Sequence, residues 1–104
     1  MKIFAFALRP FDELAYLERA CHELNIEFDW TSEYPTLENA SIAAGADALT
    51  IITNPMTAEL LDRYHELGIR AIATRSIGYD HIDVDHARSL GMRVAHAAYP
   101  PEGV

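Results

Sequence analysis

Strand-like and helix-like segments alternate from Lys2 to Ala95, and this alternation constrains the fold more than any other property of the chain. Lys2 to Leu8 is an apolar run of strand character. Phe11 to Asn25 carries Leu14, Leu17, Cys21 and Leu24 at helical spacing. Ile26 to Thr31 then alternates apolar and polar residues, as a strand with one buried face does. Thr36 to Ala44 reads as a short helix, with Thr36 as its N-cap and Gly45 as its stop. Ala48 to Thr53 is the third strand, broken by Asn54-Pro55. Thr57 caps a helix bearing Leu60, Leu61, Tyr64 and Leu67, which Gly68 closes. Ile69 to Thr74 is the fourth strand. Asp83 or Asp85 caps a helix that ends at Gly91, Met92 to Ala95 is a short fifth strand, and Tyr99-Pro100-Pro101 ends the regular pattern.

Strand–helix units of about twenty residues predict parallel strands joined by right-handed crossovers. The expected fold is α/β: a flavodoxin-like, doubly wound, five-stranded parallel sheet in the order 2-1-3-4-5, in three α/β/α layers. Residues 1–104 would form one domain. Ligands of such sheets bind beyond the carboxyl ends of the strands, where the winding reverses. Here those ends are Arg9-Pro10, Thr53-Asn54, Thr74 to Tyr79 and Ala97 to Tyr99.

Charge narrows the partners. Sixteen acids stand against one lysine and seven arginines, for a net charge of −8, so a nucleic-acid partner is not expected. The opening apolar run, Ile3 to Leu8, is too short for a secretory leader or a membrane span, and the cytoplasm is the default address. Cys21 is the one cysteine and lies on the apolar face of the first helix, which reads as a buried structural thiol.

Several chemistries lack their motif. The glycines, at 45, 68, 78, 91 and 103, never come closer than ten residues, so there is neither a G-x-G-x-x-G nor a P-loop. No G-x-S-x-G is present for a hydrolase elbow. A phosphoacceptor receiver needs an Asp ending the third strand and a Lys after the fifth. Here the third strand ends in Thr53-Asn54, and the only lysine is Lys2. His81 and His86 are five residues apart and off a common helical face, so the acidic run around them reads as solvated helix-capping sequence, with no metal expected.

Four positions on the expected rim keep two readings each. Arg9 is either an exposed partner of Asp12 or Glu13, or a guanidinium that attracts a carboxylate substrate. Tyr99 either closes the edge of the core or lends a hydroxyl to a ligand. Ser76-Ile77-Gly78 is either an ordinary tight turn or a nest of backbone N–H groups aimed at an anion. Arg75, facing the rim, pairs locally with Asp80 or with Asp83.

The segment Arg75-Ser76-Ile77-Gly78-Tyr79-Asp80-His81-Ile82-Asp83 resembles the R-x-x-G-x-D-N-I-D pattern of the D-isomer-specific 2-hydroxyacid dehydrogenases. It carries His81 where most members have Asn, as D-lactate dehydrogenases of the vancomycin-resistance type also do. Lys2 to Arg9, Gly45 to Ala48 and Leu67 to Ile69 resemble the same family, and Ala98 to Val104 is similar to its interdomain hinge, with Pro100 a departure. The resemblance implies the substrate-binding domain of a two-domain, NAD-dependent enzyme that reduces a small 2-oxo acid such as pyruvate. Backbone N–H groups of Ile77 and Gly78 would hold the carboxylate, beside Ser76, with Tyr99 next to the substrate and Arg9 near the mouth. The family's catalytic Arg, Glu and His and its NAD motif match nothing in this chain. An isolated, catalytically silent domain that binds no NAD itself is therefore expected, with the parent's cofactor domain as its partner. The competing expectations are a free-standing carboxylate- or partner-binding module, and self-association through apolar surface left uncovered.

Overall fold

The computed structural model describes residues 1–9, 14–52, 54–75 and 81–96. Its parallel sheet has the order β2-β1-β3-β4-β5, as the alternation predicts. The strands are β1 (Lys2–Ala5), β2 (Glu27–Trp30), β3 (Ala48–Ile51), β4 (Ala71–Thr74) and β5 (Arg93–His96). Between them run α1 (Ala15–Glu23), a 3-10 helix (Ala40–Ala43), α2 (Ala58–Glu66) and α3 (Val84–Ser89). Residues 11–13 of the expected first helix lie outside the described residues.

Burial follows position in the sheet. β3 is central and buried at all four positions, whereas edge strand β2 is half-buried at every second residue. In register, Ile3 faces Phe28 and Ala48, and Ala48 faces Ala71. That row lies on the α1 side, where Leu17 and the buried Cys21 meet Ile3, Phe28 and Ala48. Burial pushes the Cys21 thiol pKa up. On the other side Phe4, Leu49, Ile51 and Ile72 pack with Leu60, Leu61 and Tyr64 of α2 and Ala87 of α3. Phe6 bridges this layer, its ring 4.9 Å from Phe4 and 6.0 Å from Tyr64.

The helix ends largely follow sequence rules. Thr57 caps α2, its hydroxyl accepting the Leu60 N–H at 3.3 Å. Of the two aspartates open for α3, Asp83 is the cap and accepts the His86 N–H at 3.1 Å. Gly68 and Gly91 close α2 and α3 with φ of +91° and +78°, a region that favours glycine. The predicted helix over 36–44 is shorter than expected. Thr36 and Asn39 trade backbone-to-side-chain bonds of 2.9 and 3.2 Å, which close a separate turn and leave a single 3-10 turn from Ala40. Between α2 and α3, Asp62 accepts from His86 Nε2 at 2.7 Å. Among the described residues no helix is long and apolar enough to cross a membrane.

Candidate functional site

At the carboxyl end of the sheet the chain leaves β1, β3 and β4 side by side, and polar groups are buried among them. Thr50, Asn54, Thr74 and Arg75 are the buried polar or charged residues of the described chain, and all lie at this end. Asn54 turns its Oδ1 back to accept the Ile52 N–H at 3.2 Å, which satisfies a backbone donor as β3 ends. Thr74 donates to the Ile52 carbonyl at 3.2 Å, and its oxygen is 3.2 Å from His81 Nε2.

Arg75 organises this region. It is only 8% exposed. Its N–H donates to the Ile51 carbonyl at 2.6 Å. Its Nη2 donates to the carbonyls of Phe6 and Ala7 at 2.9 and 3.0 Å, and its Nη1 to the Thr50 hydroxyl at 3.1 Å. A buried guanidinium requires acceptors, and those of Nη1 and Nη2 come from β3 and from the exit of β1. The sequence expectation for this side chain is a local pairing with Asp80 or Asp83. Asp83 is engaged as the α3 cap, and Asp80 lies outside the described residues.

Ala7 shows why the guanidinium is needed there. Its φ is +54°, a left-handed conformation that is strained for a residue with a Cβ. The kink turns the chain out of β1, so that Ala7 and Leu8 donate to the Glu33 and Thr31 carbonyls at 2.8 and 3.1 Å instead of continuing the sheet. Arg9 follows on the exposed side of the rim. His81 to Asp83 run beside Met56 in a short parallel bridge: Met56 N–H donates to His81 O at 2.7 Å, and Asp83 N–H to Met56 O at 3.1 Å. Beside this bridge a cleft of about 340 Å³ is bounded by residues 55–58 and 81–83.

Of the candidate substrate residues, Arg9 is placed at this rim. Ser76, Ile77, Gly78 and Tyr99 lie outside the described residues, as do Thr53 and residues 97–104. Both flanks of the Ser76-to-Asp80 segment are described, however. Arg75 pins one, and the Met56–Ile82 bridge pins the other. Sequence reasoning missed the roles of Arg75, Asn54 and Thr50. An arginine directly after the strand Ala71-Ile72-Ala73-Thr74 is the signal that marked Arg75, but its acceptors lie up to 69 positions away. A second hollow, of about 170 Å³, lies at the opposite end between His65, Arg70 and Leu90. The carboxyl ends of α2 and α3 are there, and their carbonyls repel anions.

Residues 5–104 match the model of the D-isomer-specific 2-hydroxyacid dehydrogenase catalytic domain. The chain belongs to this family. It is 30% identical to the D-lactate dehydrogenase of Leuconostoc mesenteroides subsp. cremoris, covering 100% of this chain and 32% of that protein. It is 32% identical to an aromatic 2-oxoacid reductase of Clostridium sporogenes, again covering 100% of this chain and 32% of the relative. Among solved structures, apo D-lactate dehydrogenase from Escherichia coli superposes with a TM-score of 0.88 at 28% identity, covering 100% of this chain and 33% of that one. The chain thus spans about a third of the length of these relatives.

The described glycines do not fit a dinucleotide. Gly68 and Gly91 donate back to His65 and Arg88 at helix ends, and Gly45 follows the 3-10 helix. None stands at the strand-to-helix turn where a pyrophosphate binds.

Proposed function

We propose that this chain is the substrate-binding domain of an NAD-dependent D-2-hydroxyacid dehydrogenase of the D-lactate type. In this reading it reduces a small 2-oxo acid such as pyruvate together with a separate cofactor domain, and it is catalytically silent alone. The family match supports the reaction class. One further observation carries the assignment of the site. The R-S-I-G-Y-D-H-I-D segment starts where β4 ends, next to the exit of β3, on the rim where open α/β sheets bind ligands.

Hydride transfer requires a nicotinamide a few ångströms from the substrate carbon, a base for the hydroxyl proton and a stabiliser of the carbonyl oxygen. The role of this chain would be to fix the substrate's carboxylate through the Ile77 and Gly78 N–H groups, beside Ser76, with Arg9 drawing the anion to the mouth and Tyr99 closing over it. Orientation of this kind lowers the barrier only when the remaining groups are supplied by the partner domain.

The test is an assay of the full-length parent, whose gene is sequenced beyond codon 104. A downstream G-x-G-x-x-G and NADH-dependent reduction of pyruvate to D-lactate are expected, with no turnover by the 104-residue chain. Turnover by the short chain overturns its catalytic silence. An inactive parent that binds 2-oxo acids would make the domain a carboxylate-binding module, and concentration-dependent size without ligand response would make it a self-associating unit.

A further inference from the structure

We infer that Arg75 is a positioning residue of the substrate rim, a clamp that holds the β1 exit, which leads to Arg9, against β3 and the end of β4. The inference rests on the proposed substrate role of that rim. A single guanidinium reaches two consecutive carbonyls, Phe6 and Ala7, at 2.9 and 3.0 Å, and the Thr50 hydroxyl at 3.1 Å. Meanwhile its own N–H is bound to Ile51 at 2.6 Å. The residue that opens the segment is thereby tied to β1 and β3 through four donor bonds.

The strained Ala7 gives the clamp a purpose beyond filling space. A left-handed alanine persists only where its surroundings over-determine it. Here the Ala7 carbonyl is held by Arg75 and the Ala7 N–H by Glu33. Two residues on is Arg9, and one residue after Arg75 is Ser76. The two sides of the rim that would meet a carboxylate therefore share one rigid charge. A lysine has one nitrogen and cannot span the same set of acceptors with a planar fork.

The experiment compares Arg75→Met, Arg75→Lys and Thr50→Val with Leu60→Ala, a core variant away from the rim, in the full-length parent. KM and kcat for pyruvate are measured, together with amide hydrogen exchange. In Arg75→Met, KM is expected to rise at least tenfold while kcat changes less than threefold, and Arg75→Lys should restore part of KM. Amides of Ala7, Leu8 and residue 75, bound to Glu33, Thr31 and Ile51, should exchange at least tenfold faster than wild type, without a matching change in α2. Leu60→Ala should leave KM unchanged even where it lowers the melting temperature as much. Should Arg75→Met not fold, Thr50→Val removes one acceptor at constant shape and is expected to raise KM two- to threefold. Equal KM in Arg75 variants and wild type, or a uniform rise in exchange, overturns the clamp. If the wild-type parent reduces no 2-oxo acid, the functional proposal fails, and local against uniform exchange still decides the role of Arg75.

Discussion

At the amino end of the sheet, neighbouring strands are tied mainly by a relay of backbone bonds, with one side-chain tie, Asp47 Oδ2 accepting the Lys2 N–H at 2.9 Å. Glu27 donates to Met1, Asp47 to Lys2, Arg70 to Asp47 and Arg93 to Arg70, at 2.8 to 3.0 Å. At the carboxyl end, the same strands are tied by buried side chains as well: Arg75 to Phe6, Ala7 and Thr50, Thr74 to Ile52, and Asn54 to Ile52. A backbone relay works with nearly any sequence. A side-chain network works only with particular residues, and its buried polar groups are costly when any partner is lost. The rim is therefore the end where residue identity matters most, consistent with a site on a scaffold whose other end rests mainly on its backbone.

The sharpest way to break this contrast is a matched pair of arginines. Arg75→Met leaves the Phe6 and Ala7 carbonyls and the Thr50 hydroxyl short of a donor, and is expected to cost about 3 kcal/mol. Arg70→Met, whose exposed side chain takes no part in the relay, should cost less than about 0.5 kcal/mol. Urea unfolding of both variants checks this, and equal losses would erase the distinction between the two ends.

Alkaline pH probes the packed face beneath the rim. Tyr64 is fully buried, and burial pushes its phenol pKa far above its ordinary value of 10.0. The folded state thus keeps the proton that the unfolded chain gives up above pH 10. Stability from this group is whole below pH 10 and falls as pH rises further, by about 1.4 kcal/mol per unit. The Cys21 thiol, also raised, works in the same direction from its ordinary value of 9.0 upward. Thermal melts between pH 8 and 11 should show this decline, and Tyr64→Phe should flatten it.

A cap gives a smaller effect. Thr57→Ala removes the acceptor for the Leu60 N–H and should cost about 1 kcal/mol. A loss below about 0.3 kcal/mol would show that packing alone starts α2. The smallest effect belongs to Tyr64→Phe at neutral pH. Among the described residues the Tyr64 hydroxyl is the buried side-chain polar atom without a hydrogen-bond partner. Its removal should leave stability unchanged or raise it by up to about 1 kcal/mol. A loss above about 1 kcal/mol would mean that the hydroxyl has a partner, such as buried water.

Much of this was legible in the chain itself. Apolar runs at Lys2, Ala48 and Ile69, helical spacing at Leu60, Leu61 and Tyr64, and turn residues at Thr57, Gly68 and Gly91 specify local structure through short-range sterics and hydrogen bonding. The alternation of strands and helices then leaves few ways to wind the sheet, so its order could be read as well. The loop proposed to bear the site stood out as a motif, and the family it points to is the one the chain belongs to. The loop's supports did not. Nothing near Arg75 in sequence announces Phe6, Ala7 or Thr50 as acceptors. Likewise Thr36 promised a helix, and its reciprocal bonds with Asn39 closed a turn instead. Ala7 has a residue type that gives no hint of a positive φ. By itself the sequence determined the elements, their order and the family, since these follow from periodicity and local motif. Only the tertiary structure decided which buried charge holds the rim, because its acceptors come from strands that become neighbours once the sheet has formed.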